Sequence, residues 1–446
     1  MGNKLFGTDG VRGVANVYPM TADFAFKLAQ AAASTFKKEK ARVAVARDTR
    51  VSGQMLEAAL TAGFTAQGVD VLLLGVVPTP ALAFLAPSLN VDMAVMISAS
   101  HNPYHDNGIK LIDGQGKKLT DEKTSEIESL VAKGDFLTDK DKIGVCYNDC
   151  AAIENYVSMV KKIAPEGSLK GMKIVVDCAN GAFSDIAPEI LRHYGADLIV
   201  VANEPDGYNI NKDCGSQHTE MMRKTVVEQG ADIGIAVDGD GDRIIVCDEK
   251  GAKLDGDQII AFLGQYFQKE GRLKGGAVVA TVWSNLGLEK YLKTLGVGYH
   301  RTAVGERYVI DKMNEIGANV GGEESGHMVL RDFAPTGDGL IAGINICLGL
   351  KKSGRKMSEI FPVFVKEPCL VENVRFDSKE KIAKAMDDAH VREVIENCKQ
   401  AMAGTGSVIV RKSGTEPLIK IRVEGENADK VAENMNILRS EISKFC

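Results

Sequence analysis

Short hydrophobic runs recur along the chain, and most are followed by a stretch in which apolar residues have helical spacing. The first run, Arg42–Asp48, leads to a helical stretch around Met55–Thr65, and two further apolar runs follow. The last of these, Met93–Ile97, ends in the polar segment SASHNPYHDNGIK. Strand-like runs that alternate with helical stretches predict a parallel sheet covered by helices.

The same order of elements occurs twice more. The second copy begins at KIVVDCANG, continues through a helix ending near Leu191, and closes with Asp232–Val237 and the segment DGDGDR. The third copy begins at GAVVATV, continues through a helix ending near Leu295, and closes with GGEESGH. Ligands of parallel sheets bind beyond the carboxyl ends of the strands, so each copy should present one polar loop to a ligand. Three unrelated α/β domains with ordinary polar turns are the alternative.

After about residue 366 the pattern changes to that of a small α+β domain. Its predicted order is β-α-β-β-α, with a long helix over Lys379–Met402 and a final helix over Ala428–Phe445. At roughly 150 residues per domain, a chain of 446 residues is long enough for three or four domains. We therefore predict four domains, with limits at 1–150, 151–255, 256–368 and 369–446.

Composition narrows the class of protein and of partner. Hydrophobic residues make up 45% of the chain and charged residues 26%, which is typical of a soluble globular protein. The net charge of −6, without a basic stripe, argues against nucleic acid. The longest apolar stretch, Gly339–Leu350, is too short to span a bilayer, and the N-terminus lacks the apolar core of a signal peptide. Nine cysteines without a C-x-x-C pair indicate reduced thiols. We expect a cytoplasmic protein, either monomer or homodimer, that binds neither nucleic acid nor membrane.

The loop after Met93–Ile97 contains a candidate nucleophile. A serine hydroxyl attacks poorly unless a base, a metal or a cation assists it. Ser100 stands beside His101 and shortly before Lys110, so assisting groups are close in sequence. A serine-rich loop that ends at Asn-Pro is also typical of a plain turn.

The loop DGDGDR predicts a metal site. Asp238, Asp240 and Asp242 alternate with other residues, and in an extended segment alternate side chains share one face. Oxygen-only ligands favour Mg2+ over Zn2+, and three carboxylates leave positions for water or a phosphate. A calcium loop is disfavoured because Arg243 stands where that motif requires glycine. A solvated acidic turn is the remaining alternative.

Two further loops carry polar groups. The segment Gly322–His327 combines hydroxyl and carboxylate groups suited to sugar hydroxyls, with His327 as a possible acid or base, although a lone histidine is more often structural. The segment Arg411–Pro417 places cations and hydroxyls around a glycine, which suits a phosphate. An exposed hairpin turn would have a similar sequence.

Together the four loops resemble those of the α-D-phosphohexomutase superfamily, in the same order and from Gly7 to about Glu426. The segments LFGTDGVRG and RKSGTEPLIKIRVEGE favour its members that act on glucosamine phosphates. The resemblance implies three similar α/β domains with mixed, mainly parallel sheets around a central cleft, plus a smaller C-terminal α+β domain.

The resemblance also implies a reaction. Enzymes of the superfamily carry a phosphoserine in the SASHNP loop, and the matching residue here is Ser100. The expected activity is the interconversion of glucosamine 6-phosphate and glucosamine 1-phosphate. Glucosamine 1,6-bisphosphate would serve as intermediate and activator, and the product would enter the route through UDP-N-acetylglucosamine to the cell wall.

The motif positions assign roles to individual residues. One Mg2+ per chain is expected on the phosphate of Ser100 and on Asp238, Asp240 and Asp242. The expected acid–base groups are Lys110 and His327. The expected cations near the transferring phosphate are Arg12 and Arg243. The expected contacts to the sugar hydroxyls are Glu323 and Ser325. The expected clamp for the phosphate that is not transferred consists of Arg411, Ser413, Gly414 and Thr415.

One departure from the family pattern bears on specificity. Glu324 stands where glutamine or asparagine is more usual in the glucosamine enzymes. Beside Glu323 it could favour a sugar that bears an ammonium group, or broaden the enzyme toward glucose or mannose phosphates. The alternatives are therefore a phosphoglucomutase or phosphomannomutase with broader specificity, a Mg2+-dependent sugar phosphatase, and a non-catalytic sensor of sugar phosphates.

Overall fold

The computed structural model describes residues 5–7, 9–36, 38, 40–134, 136, 139–413 and 417–446. By its contacts the chain divides into two compact units. The first unit contains Met1–Trp283 and Val297–Val363, and the second contains Ser284–Gly296 and Phe364–Cys446. Among the described helices we find none with the length and apolar character needed to cross a membrane.

The first sheet is built from the N-terminal elements, which are β1 (Val11–Val14), α1 (Ala22–Ala33), β2 (Arg42–Arg47), α2 (Gly53–Thr65), β3 (Asp70–Val76), α3 (Thr79–Ser88), β4 (Met93–Ile97), β5 (Asp106–Asp113), α4 (Asp121–Lys133) and β6 (Cys146–Asn148). The strand order is β1-β5-β4-β2-β3-β6. Strand β5 runs antiparallel to β4 and β1, whereas the other pairs are parallel. Helices α1 and α2 approach closely at Gly63, where an added Cβ would lie 2.4 Å from the carbonyl oxygen of Phe26.

The second sheet follows with α5 (Ile153–Val160), β7 (Lys173–Asp177), α6 (Ile186–His193), β8 (Asp197–Val201), α7 (Glu220–Gln229), β9 (Ile233–Val237), β10 (Ile244–Asp248) and β11 (Lys253–Leu254). Its strand order is β11-β10-β9-β7-β8. Strands β7, β8 and β9 are parallel, and β10 returns antiparallel to β9. All five residues of β9 are buried, as their apolar side chains require.

The third sheet is formed by the elements α8 (Gly256–Lys269), β12 (Ala277–Thr281), α9 (Leu286–Thr294), β13 (Gly298–Thr302), α10 (Glu306–Ile316), β14 (Val320–Gly322), β15 (Met328–Leu330) and α11 (Gly339–Ser353). Its strand order is β13-β12-β14-β15, with β15 antiparallel to β14. Helix α9 belongs by its contacts to the second compact unit. The backbone N–H of Leu286 donates to Oε2 of Glu424 (3.2 Å), and Lys290 pairs with Glu426 (2.6 Å).

The C-terminal elements are β16 (Cys369–Arg375), α12 (Lys379–Asp387), α13 (Ala389–Met402), β17 (Gly406–Lys412), β18 (Leu418–Gly425) and α14 (Ala428–Ser443). Their sheet is antiparallel, with order β16-β18-β17. The long helix predicted over Lys379–Met402 is wrong, because the chain is extended at Asp388. The carboxylate of Asp388 accepts the N–H of Val391 (3.0 Å), so it caps a new helix instead of continuing the first.

One arrangement is repeated in the first three sheets. The strands β4, β9 and β14 each lie beside a parallel strand and are each followed by an antiparallel strand. The connecting loops are the ones that the sequence singled out for chemistry. Three mixed sheets and one smaller antiparallel sheet confirm the predicted fold class.

Candidate active site

The loops after β4, β9 and β14 touch one another within the first compact unit. The hydroxyl of Ser100 donates to Oδ2 of Asp238 (2.6 Å). Nε2 of His327 lies 3.1 Å from Oδ1 of Asp242 and 3.0 Å from Nε of Arg243. Three segments far apart in the sequence thus bring a nucleophile, carboxylates and cations into contact.

Ser100 is held in an unusual conformation. It is fully buried and has a φ of +54°, a region that residues other than glycine seldom occupy. Its N–H donates to the hydroxyl of Ser98 (2.8 Å), which in turn donates to Asp48 (2.6 Å). Backbone strain of this kind persists only when the surroundings fix it, and it is concentrated at functional sites.

A buried arginine fixes the Ser100 loop. Arg50 is 1% exposed, and its Nε donates to Oδ2 of Asp48 (2.9 Å). Its Nη2 donates to the carbonyl oxygens of Ser100 (2.9 Å) and Asn102 (2.7 Å), and its Nη1 donates to that of Asp106 (3.0 Å). Sequence reasoning missed Arg50. The only available signal was a pair of opposite charges directly after a buried strand.

The acidic triplet is compact and buried. Carboxylate oxygens of Asp238, Asp240 and Asp242 all lie within 4.8 Å of one another. The glycines between them are required, since a Cβ at Gly239 would lie 2.8 Å from the carbonyl oxygen of Ser100, and one at Gly241 would lie 2.2 Å from the Phe183 ring. The absence of a side chain at residue 239 lets the loop approach the serine, and its absence at residue 241 leaves room for the Phe183 ring.

Electrostatics within the triplet are uneven. Burial and repulsion by Asp242 and Asp240 raise the pKa of Asp238 to about 7. Burial opposes ionisation of Asp242 as well. However, Lys110 and His327 outweigh that effect and hold the pKa of Asp242 well below its usual range. Lys110 and His327 therefore act most strongly on Asp242, whereas Asp238 is the residue that contacts the serine hydroxyl.

Lys110 is the cation in closest contact with the triplet. Its Nζ lies 2.6 Å from Oδ2 of Asp240, 3.2 Å from Oδ2 of Asp242 and 3.0 Å from Oδ2 of Asp9. Asp9, which sequence reasoning also missed, pairs in addition with Arg12 and with Lys118. It links Lys110 to Arg12, whose Nη1 donates to the carbonyl oxygen of Ala99 at the edge of the serine loop.

The residues present fit a divalent cation. The donor set is carboxylate oxygens alone, which is the chemistry that Mg2+ prefers. Oδ1 of Asp240 is buried and has no hydrogen-bond partner within the part of the chain that the structure describes. A buried carboxylate oxygen without a partner is costly unless a ligand satisfies it.

His327 is oriented by Glu323. Nδ1 of His327 lies 2.8 Å from Oε2 of Glu323, whose Oε1 accepts the N–H of Gly305 (2.9 Å). Burial and Arg243 disfavour the charged imidazole, but Asp242 and Glu323 outweigh them and raise the pKa of His327 to about 10. Ser325, between Glu323 and His327 in the sequence, is exposed to solvent.

The predicted phosphate clamp lies in the second compact unit. Arg411 is near the end of β17, where it pairs in register with Lys420 of β18. The N–H of Ser413 donates to the carbonyl oxygen of Leu418 (2.9 Å). Gly414 and Thr415 lie outside the described residues.

Comparisons with known proteins agree along the whole chain. Family models of phosphoglucomutase/phosphomannomutase match in order: α/β/α domain I at 3–138, domain II at 154–251, domain III at 255–366 and the C-terminal domain at 372–439. The phosphoglucosamine mutase of Paramagnetospirillum magneticum is 48% identical and covers 100% of this chain and 99% of its own. That of Agrobacterium fabrum is 45% identical and covers 99% of both chains.

Solved structures support the fold. A phosphoglucomutase/phosphomannomutase family protein from Burkholderia thailandensis superposes with a TM-score of 0.83 at 24% identity, covering 100% of this chain and 98% of its own. The N-acetylphosphoglucosamine mutase of Aspergillus fumigatus, in complex with GlcNAc-6P and magnesium, gives 0.64 at 15% identity, with coverages of 99% and 96%. At such identities these two structures indicate the fold alone. On the full-length identities, the chain belongs to the phosphoglucosamine mutase family within the α-D-phosphohexomutase superfamily.

Proposed function

We propose that the protein interconverts glucosamine 6-phosphate and glucosamine 1-phosphate through a phosphorylated Ser100. The observation that carries the proposal is the Ser100 hydroxyl, 2.6 Å from Asp238 within the acidic triplet, in a chain 45–48% identical to phosphoglucosamine mutases. The relatives named above do not favour the glucose or mannose alternative.

The chain supplies the groups that phosphoryl transfer requires. In the forward step the bond between Oγ of Ser100 and phosphorus breaks and a bond from phosphorus to a sugar oxygen forms. The proton of the sugar hydroxyl passes to a base of the protein, and Oγ of Ser100 takes up a proton from an acid of the protein. Bound Mg2+ would neutralise charge on the transferring phosphate. Arg12 and Arg243 would bind its oxygens, and Lys110 and His327 are the proposed acid–base groups. His327 lies against both Glu323 and Asp242, so its ring nitrogens are placed to exchange protons at the triplet.

The sugar must present both ends in turn. Glucosamine 1,6-bisphosphate would form, reorient and return its other phosphate to Ser100. Glu323 and Ser325 are the proposed contacts to sugar hydroxyls. The proposed clamp for the distal phosphate consists of Arg411, Ser413, Gly414 and Thr415.

We also propose that the protein works in the cytoplasm, on the route to UDP-N-acetylglucosamine and the cell wall. The described cysteines support this location, since all of them are free. Sugar phosphates are the proposed partners.

The function is tested by offering glucosamine, glucose and mannose 6-phosphates with Mg2+ and trace 1,6-bisphosphate. Phosphorus NMR distinguishes a 1-phosphate from a 6-phosphate and from free phosphate. We expect the 1-phosphate to form fastest from the glucosamine substrate, and activity to disappear on chelation of Mg2+. Free phosphate without isomerisation would indicate a phosphatase. Binding of a sugar phosphate without turnover would indicate a sensor. Faster turnover of glucose or mannose phosphate would indicate the mutase of broader specificity.

Glu324 is expected to contribute to preference for the amino sugar. It is half-buried beside Glu323, whose two oxygens are already hydrogen-bonded. Replacing Glu324 by glutamine removes a negative charge that an ammonium group would sense. A partly exposed charge pair is worth about 1 kcal/mol, so the glucosamine/glucose ratio of kcat/KM should fall about fivefold. Glu315→Gln, which changes an exposed glutamate paired with Lys312, is the matched control. An unchanged glucosamine/glucose ratio of kcat/KM in Glu324→Gln would contradict a role of Glu324 in sugar preference.

A further inference from the structure

A threonine of the first sheet's domain holds the central aspartate of the triplet at two points. The hydroxyl of Thr79 donates to Oδ2 of Asp240 (2.6 Å). The N–H of Thr79 donates to the backbone carbonyl oxygen of the same residue (2.9 Å). Thr79 is 2% exposed, so water competes little for either bond.

The two oxygens of the Asp240 carboxylate have different surroundings. Oδ2 is engaged by Thr79 and by Nζ of Lys110, both at 2.6 Å. Oδ1 of the same carboxylate is buried without a partner among the described residues. Turning the plane of the carboxylate away from its position would break both bonds to Oδ2, so the two donors hold the second oxygen in place. Partners outside the ligand shell orient ligands in this way at metal sites.

We propose that Thr79 is a positioning residue that turns Oδ1 of Asp240 toward a divalent cation. The proposal rests on the magnesium site proposed above. Thr79 suits the task because its branched side chain restricts χ1, so that its hydroxyl points in a defined direction. The hydroxyl does not cap its own helix, since Pro78 is the residue at the N-cap of α3 and no side-chain cap bond is formed there.

A purely structural link between two domains is the competing explanation. Thr49 provides such a link, since its hydroxyl donates to the carbonyl oxygen of Asn180 (2.6 Å). That bond also joins the loop regions of the first and second sheets, but it does not touch the acidic triplet. Thr49 therefore offers a control of the same residue type and the same hydrogen-bond length, at a half-buried position.

The test measures the affinity for Mn2+, by the electron paramagnetic resonance signal of the free ion, together with kcat. The proteins are wild type, Thr79→Val, Thr79→Ser, Thr49→Val and Asp240→Asn, with matched phosphate content verified by intact mass. We expect Thr79→Val to weaken Mn2+ binding about tenfold, the lower end of the usual effect of an outer partner. Thr79→Ser keeps the hydroxyl and should stay within about threefold. Thr49→Val should bind as wild type does.

Two results would overturn the role of Thr79. The first is wild-type Mn2+ affinity in Thr79→Val, and the second is an equal loss in Thr49→Val. If Thr79→Val does not fold, Thr79→Ala removes the same hydroxyl with less crowding and is judged by the same comparison. Absence of Mn2+ binding by the wild type, or full binding by Asp240→Asn, would overturn the magnesium site and the positioning role with it.

Discussion

Replacing Ser100 by alanine is expected to lower mutase turnover by about ten-thousand-fold or more, because the phosphoryl group then has no acceptor on the protein. The neighbouring groups cannot substitute. Asp238 is the closest carboxylate, but it is one of the proposed ligands of the magnesium ion. The loss should appear in kcat, measured by phosphorus NMR, with little change in the binding of the sugar phosphate.

Intact mass spectrometry gives an independent measure for the same variant. Wild-type protein incubated with the 1,6-bisphosphate should gain one phosphate, and Ser100→Ala should gain none. Ser88→Ala is the control, since its hydroxyl donates to the carbonyl oxygen of Leu85 (2.8 Å) near the end of α3, away from the triplet. Phosphate uptake by Ser100→Ala with retained turnover would move the nucleophile to another residue.

Replacing Arg50 by methionine is expected to destabilise the protein by about 3–5 kcal/mol. The change leaves Asp48 buried without its guanidinium partner and removes donors from the carbonyl oxygens of Ser100, Asn102 and Asp106. Burial already raises the pKa of Asp48, so an unpaired carboxylate there is costly. Arg50→Lys should be nearly as harmful, because an ammonium group cannot replace the planar fork of donors.

Urea denaturation followed by tryptophan fluorescence measures this effect. The chain has one tryptophan, Trp283, which belongs to the same compact unit as Arg50. Arg355→Met, at an exposed arginine, should change the unfolding free energy by less than about 0.5 kcal/mol. A cost below about 1 kcal/mol for Arg50→Met would contradict the proposed clamp.

Much of the fold could be predicted from local pattern. The apolar runs that became β4, β9 and β12 are fully buried, so burial on both faces removed any need for polar alternation. The repeats predicted one polar loop at the end of a strand in each copy, whereas the expectation that Ser100 lies beside Asp238 came from the resemblance to the superfamily.

Other features depend on partners that are distant in the chain. Thr79 and Asp240 are 161 residues apart, and no local signal marks a threonine at the start of a helix as a partner of a metal ligand. Asp9 and Arg50 each occur in charged stretches that would suit a solvated surface. An aspartate within a helical pattern can either continue the helix or cap a new one. The apolar spacing around Asp388 predicted one continuous helix, but in the structure Asp388 caps a second helix.

The membership of α9 in the second compact unit has a consequence for exchange of modules between relatives. A chimera joined at residue 369 would keep Leu286 and Lys290 from one parent and take Glu424 and Glu426 from the other. The side chains of Lys290 and Glu426 then come from different parents, so this charge pair is kept only where both parents carry it. Exchange of the segment 284–296 together with the C-terminal part would keep these pairs intact. The second compact unit is therefore discontinuous in the sequence, and a single crossover cannot transfer all of it.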